Sequence, residues 1–150
     1  MIILDTNIIS ELMKAAPNNA VFNWANQQPL GSLSVTATGI GEIIYGLQLL
    51  PLGARKLALE RAFETLLKKV FLGKCIEFDS IAAKAYGELM ANRKNIGKPM
   101  SIGDAQIAAI ALSHQATLAT RNTADFADCY LDLVNPFLDT PTLETPLQAQ

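Results

Sequence analysis

The chain has 150 residues, with 12 basic and 14 acidic side chains, a formal net charge of −2, half of its residues hydrophobic and 17% charged. That length suits one domain with a sizeable core, and that composition excludes a disordered chain. The mildly acidic balance (pI ≈ 5.3) argues against broad electrostatic capture of nucleic acid, though it leaves room for a local basic groove.

Residues 15–41 carry no charge, but Pro17, Asn18, Asn19, Asn23, Asn26 and Pro29 break any apolar span of the roughly 20 residues a membrane crossing needs. The start meets Asp5 after Ile2-Ile3-Leu4 and has no basic segment before it, so no signal peptide is expected. Cys75 and Cys129 lack C-x-x-C spacing, which predicts two buried, reduced thiols in a cytoplasmic protein, with no zinc site and no disulfide.

In chain order, residues 2–4 read as a short buried strand, followed by a helix from about Asn7. Asn18 or Asn19 caps a second helix through about Asn26, and residues 28–31 make a turn into a strand over 32–35. Ile40, Ile43, Ile44, Leu47 and Leu50 recur at helical spacing over 36–49. Pro51-Leu52-Gly53 separates this helix from a long one over 54–70. A third strand is expected over 75–78, then a helix capped by Asp79 through about Asn92, with Ile81, Ala82, Ala85, Leu89 and Met90 inward. Ser101 opens a helix whose run over 107–112 is apolar almost all round and so predicted to be buried. Residues 116–120 and 131–134 complete the strands, and 139–150 read as a flexible tail. Trp24, Tyr45 and Tyr86 are expected in the core and His114 at a helix end.

Strands alternating with crossover helices imply a mainly parallel sheet of four to five strands flanked by helices, and such sheets carry their sites beyond the strands' carboxyl ends. Asp5 closes the first strand, Glu42 lies in the helix after the second, Asp104 begins a late helix, and Asn122 and Asp125 follow the fourth strand. Gathered carboxylates repel one another and favour a cation, and oxygen ligands suit Mg²⁺ or Mn²⁺. Such a site can activate water for phosphodiester cleavage. Each residue also has a plainer role: Asp5 as a helix cap, Glu42 as a first-turn carboxylate, and Ser101–Asp104 and Asn122–Asp125 as capping boxes.

Asp5-Thr6-Asn7, Thr38-x-x-x-Glu42 with Tyr45-Gly46, Gly103-Asp104-Ala105-Gln106-Ile107-Ala108-Ala109 and Ala119-Thr120-Arg121-Asn122-Thr123-Ala124-Asp125-Phe126 occur in that order. Together they resemble a PIN domain of the VapC/FitB-like toxins of type II toxin–antitoxin systems, with the domain over 1–138. The resemblance implies a three-layer α/β/α fold and a Mg²⁺- or Mn²⁺-dependent endoribonuclease acting on tRNA or structured rRNA. It also implies a cognate VapB-like antitoxin and a homodimer, with no nucleotide cofactor and no membrane. Asp5, Asp104 and Glu42 then match the metal-binding acids, Asp125 joins them as a catalytic carboxylate, and Asn7, Thr120 and Asn122 are supporting residues. Arg121, Arg93 and Lys98 are candidates for phosphate contact.

Many relatives carry an aspartate where this chain has Asn122, which leaves a second metal open and admits an alternative: a degenerate member that binds RNA or antitoxin without cleavage. A haloacid-dehalogenase-like phosphatase would need a second aspartate at Asn7. A receiver domain would need paired acids after the first strand, where Thr6 and Asn7 stand.

Overall fold

The computed structural model describes residues 1–138, so the tail expected over 139–150 lies outside the described residues. In chain order the elements are β1 (Ile2–Leu4), α1 (Thr6–Leu12), α2 (Asn19–Gln27), β2 (Leu33–Ser34), α3 (Ala37–Gln48), α4 (Ala54–Lys69), α5 (Ser80–Asn95), α6 (Ile102–Ser113), β3 (Thr117–Ala119), a 3₁₀ turn (Thr123–Phe126) and β4 (Leu133–Val134). The four strands form one parallel sheet in the order β2-β1-β3-β4, with Ile2 opposite Leu33 and Thr117, and Ala119 opposite Val134.

Strand alternation divides the core into two layers. Leu4, Ala119 and Val134 face one side and pack with Ile8 and Ile9 of α1, Trp24 of α2, Ile43 and Leu47 of α3 and Phe63 of α4. Ile3, Leu118 and Leu133 face the other side and pack with Ala82 and Leu89 of α5 and with Ile107, Ile110 and Ala111 of α6. The arrangement is the expected α/β/α sandwich. The interior helix is α6, in which every residue from Ile107 to Ala111 is buried. Helix starts follow their caps: Asn18 Oδ1 accepts from the Ala20 and Val21 N–H groups, Thr36 Oγ1 from Gly39, and Asp79 Oδ1 from Ala82.

Several expectations are corrected. The strand expected over 75–78 is a single parallel bridge, Thr36 to Ile76, in which Ile76 N donates to Val35 O at 2.9 Å and Ala37 N to Ile76 O at 2.8 Å. The ladder stops there because Thr36 already caps α3, so the chain opposite Ile76 turns into a helix after one residue. Helix α5 runs on to Asn95, and Ile81 on its outer side is 65% exposed. Cys75 is exposed, leaving Cys129 as the buried thiol, and Tyr45 points outward from α3 at 68% exposure.

Phe126 is 1% exposed and anchors the turn that carries Asp125 into the α5–α6 layer. Phe126→Ala is expected to lower the unfolding free energy by about 3–5 kcal/mol, read by urea denaturation.

Candidate active site

The parallel sheet brings its carboxyl ends to one edge, and that edge builds the site. β1 ends at Asp5, whose N–H still bonds Ala119 O at 2.9 Å while its side chain turns to cap α1, accepting from Thr6 N at 2.8 Å. Directly after the neighbouring strand β3 comes Thr120, fully buried, whose hydroxyl donates to Asp5 Oδ2 at 2.8 Å. Asn7 reaches back from the first turn of α1, its Nδ2 donating to Asp5 Oδ2 at 3.1 Å and its Oδ1 accepting from Arg121 N at 3.1 Å. Asn122 N donates to Thr120 Oγ1 at 3.1 Å. Asp5, 4% exposed, is thus held by backbone, hydroxyl and amide, with no cation against it.

Two further acids arrive from helices. Glu42 lies in the second turn of α3, not the first, and its Oε2 accepts from the Thr6 hydroxyl at 2.5 Å. Asp104 stands in the first turn of α6, its N–H donating to the capping Ser101 Oγ at 3.2 Å. Asp125 is exposed on the 3₁₀ turn. Burial pushes the Asp5 carboxyl above its ordinary 3.8; the bonds from Thr120 and Thr6 oppose this, and the charges of Asp104 and Glu42 add to it. Burial likewise raises Asp104, against the Ser101 hydrogen bond and reinforced by the charges of Asp125 and Glu42. The four expected acids therefore share one electrostatic neighbourhood.

Among the described residues the ion pairs are Lys14–Glu11 and Lys98–Asp128, so none of the four acids is neutralised by a cationic side chain. No three acidic, histidine or cysteine side chains among the described residues close tightly enough to enclose an ion alone. The donors are all oxygen, with Asp5 buried, Glu42 and Asp104 half-buried and Asp125 exposed. That fits a hard cation held by one or two carboxylates with water completing its shell, and it does not fit an all-protein cage.

The capping reading of Asp5 and of Ser101 holds alongside their place at this edge, whereas Asn122 makes no side-chain cap bond to its turn. Arg121 is exposed, its guanidinium 4.4 Å above the Phe137 ring, and its backbone is fixed by Asn7. Arg93 is corrected as a phosphate contact. It is 5% exposed, and its guanidinium donates to Ala127 O and to Lys98 O, with Cys129 Sγ 3.8 Å away. Lys98 pairs with Asp128 at 2.8 Å on the outside of that same junction. The residue that sequence reasoning missed is Thr6: it sits inside the Asp5-Thr6-Asn7 motif, but its link to Glu42 spans 36 positions and is visible only once α1 and α3 pack.

A PIN domain family model matches residues 2–130. The chain is 38% identical to the VapC ribonuclease Y4jK of Sinorhizobium fredii over 91% of its length and 98% of the relative's. It is 34% identical to the toxin FitB of Neisseria gonorrhoeae over 93% of its length and all of the relative's (100%). The crystal structure of FitAcB from Neisseria gonorrhoeae superposes with a TM-score of 0.83 at 34% identity, covering 91% of this chain and 99% of the other. With a family model over most of its length and relatives this similar along their whole length, the chain belongs to the PIN domain family.

Proposed function

We propose that this chain is a divalent-metal-dependent endoribonuclease and the toxin half of a toxin–antitoxin pair. The observation that carries the reading is the acid cluster of Asp5, Glu42, Asp104 and Asp125, without a cationic partner among the described residues and with two of its carboxyls pushed upward by burial and mutual repulsion. Two relatives named as a ribonuclease and a toxin support it.

In this reading Asp5 and Asp104 hold Mg²⁺ or Mn²⁺, with Glu42 as a further ligand or as the group that orients attacking water. When bound, the ion supplies Lewis acidity toward the phosphodiester and lowers the pKa of water. Thr120, Asn7 and Thr6 N–H fix both oxygens of Asp5, so the carboxylate is oriented before any ligand arrives. Asp125 adds an exposed charge, and Asn122 offers a neutral amide in place of a further carboxylate, which favours one metal over two. Arg121, exposed, carried on Phe137 and directly after Thr120, is the cation assigned to phosphate contact. The substrate class is tRNA or structured rRNA.

Incubation with total RNA and with single-stranded DNA, in Mg²⁺, Mn²⁺ or EDTA, tests the reading. Discrete RNA cuts that need metal and vanish in Asp5→Asn are expected. A folded wild type that cuts nothing in either metal would leave the binding-only alternative.

The antitoxin is assigned to the groove of about 370 Å³ that runs from Thr6 and Glu42 past Met13, Leu47 and Leu50 to Arg55 and Leu59. An apolar helix would fill its floor, and a basic side chain at its acidic end would take the cation's place against Glu42. Growth arrest that saturating co-expressed antitoxin does not relieve would count against this assignment. Exposed Ile44 and Tyr45 on α3, with Leu49 and Leu52 beyond it, offer an apolar face for a homodimer, which light scattering tests.

A further inference from the structure

We propose that Gly103 is a positioning residue for Glu42: the space where its side chain would begin is the space the Glu42 carboxylate occupies. The inference rests on the metal-nuclease reading and deepens it.

Helices α3 and α6 cross here in opposed directions. Thr38 Oγ1 meets Gln106 Oε1 at 3.1 Å, and one turn further along α3 Glu42 comes against Gly103, three residues back along α6. A Cβ placed on Gly103 runs directly into Glu42 Oε1 and lies 3.5 Å from its Cδ. The other oxygen, Oε2, is fixed by the Thr6 hydroxyl at 2.5 Å. The carboxylate is therefore clamped between a hydroxyl on α1 and bare backbone on the first turn of α6, one residue before Asp104.

Conformation does not explain this glycine. Gly103 lies in the helix and is not among the glycines with positive φ, and glycine is among the poorest helix formers. Space does explain it. Gly41 and Gly46 on α3 and Gly87 on α5 have nothing within 4 Å of an added Cβ, so their lack of a side chain protects no neighbour. At Gly103 the obstructed atom is the end of a flexible side chain. Alanine there meets the Glu42 carboxylate before any backbone, so that carboxylate is expected to leave the place it now holds between the Thr6 hydroxyl and α6. A displacement of about 1 Å at a reacting centre can cost as much as about 10²-fold in rate.

The test compares Gly103→Ala, Glu42→Ala and the double variant by circular dichroism, by calorimetric titration with Mn²⁺ alone, and by the rate of total-RNA cleavage. Gly103→Ala is expected to fold, to lose about tenfold or more in cleavage, and to change Mn²⁺ affinity in the same direction as Glu42→Ala. Adding Gly103→Ala to Glu42→Ala is expected to cost less than about twofold more, because the group it displaces is already gone. A Gly103→Ala protein that matches wild type, a loss that adds in full on the Glu42→Ala background, or an unimpaired Glu42→Ala overturns the inference. If Gly103→Ala alone fails to fold, a folded double variant supports the clash, and a double variant that also fails to fold overturns it. Wild type that neither binds Mn²⁺ nor cuts RNA overturns the underlying nuclease reading, whereas a working wild type with an unimpaired Gly103→Ala overturns this inference alone.

Discussion

Asp104→Asn is expected to reduce RNA cleavage by at least about 10²–10³-fold while making the metal-free protein more resistant to heat at neutral pH. The two effects share one cause. Burial and the charges of Asp125 and Glu42 lift the folded-state Asp104 above its ordinary 3.8, so the folded chain binds this proton more tightly than the unfolded chain does. The stability it contributes is fully present below about pH 3.8 and is lost as pH rises through the raised value, where the carboxylate ionises in a poorly solvated place. Asparagine keeps the shape and removes the charge. The variant's advantage in melting temperature is therefore expected at neutral pH and should shrink as the solution is acidified toward the ordinary carboxylate range. Saturating Mg²⁺ should raise the wild-type melting temperature far more than the variant's, since only wild type retains the full ligand set. A variant less stable than wild type at neutral pH, or one still cutting RNA at the wild-type rate, would contradict this account.

Thr120→Val is expected to have the next largest effect. The Thr120 hydroxyl is completely buried, donates to Asp5 at 2.8 Å and accepts from Asn122 N at 3.1 Å. Valine keeps the volume but leaves the Asn122 N–H without its acceptor, for a stability loss of about 1–3 kcal/mol. It also removes the side-chain bond that does most to hold the Asp5 carboxyl down, leaving the Thr6 N–H and the Asn7 amide to oppose burial. Asp5 then ionises at higher pH. The acidic limb of the cleavage profile should move upward, with cleavage about 10–100-fold lower at neutral pH. Thr120→Ser, which keeps the hydroxyl, should restore the wild-type profile; an unshifted profile in Thr120→Val would show that the hydroxyl only packs.

What the sequence revealed and what it hid divide along contact range. Asp5 was legible because its role is local: a carboxylate directly after three apolar strand residues both caps α1 and closes β1. Ser101 and Asp79 were legible for the same reason, since a cap acts within three residues. The bridge at Ile76 was not, because its length is set by where Thr36 turns the opposing chain into α3, 40 positions earlier. Arg93 was a candidate for phosphate contact and is a buried cation near the end of α5. The acceptors that draw it inward include the carbonyl of Ala127, 34 positions away, which no periodicity announces. Glu42 was found by motif, but its second-turn place, its bond to Thr6 and its dependence on Gly103 come from the packing of α1, α3 and α6. The expected parallel sheet holds with four strands among the described residues, and its alternation at Ile3 and Leu4 splits the core into two layers.

The measurement that bears most directly on the central claim is calorimetric titration of Mn²⁺ into wild type, Asp5→Asn and Asp104→Asn, each first shown to be folded. The account predicts saturable binding by wild type, close to one ion per chain given Asn122, and its loss in both variants. Folded wild type that binds no Mn²⁺, or variants that bind it with unchanged affinity, would contradict the claim that Asp5 and Asp104 form the metal site.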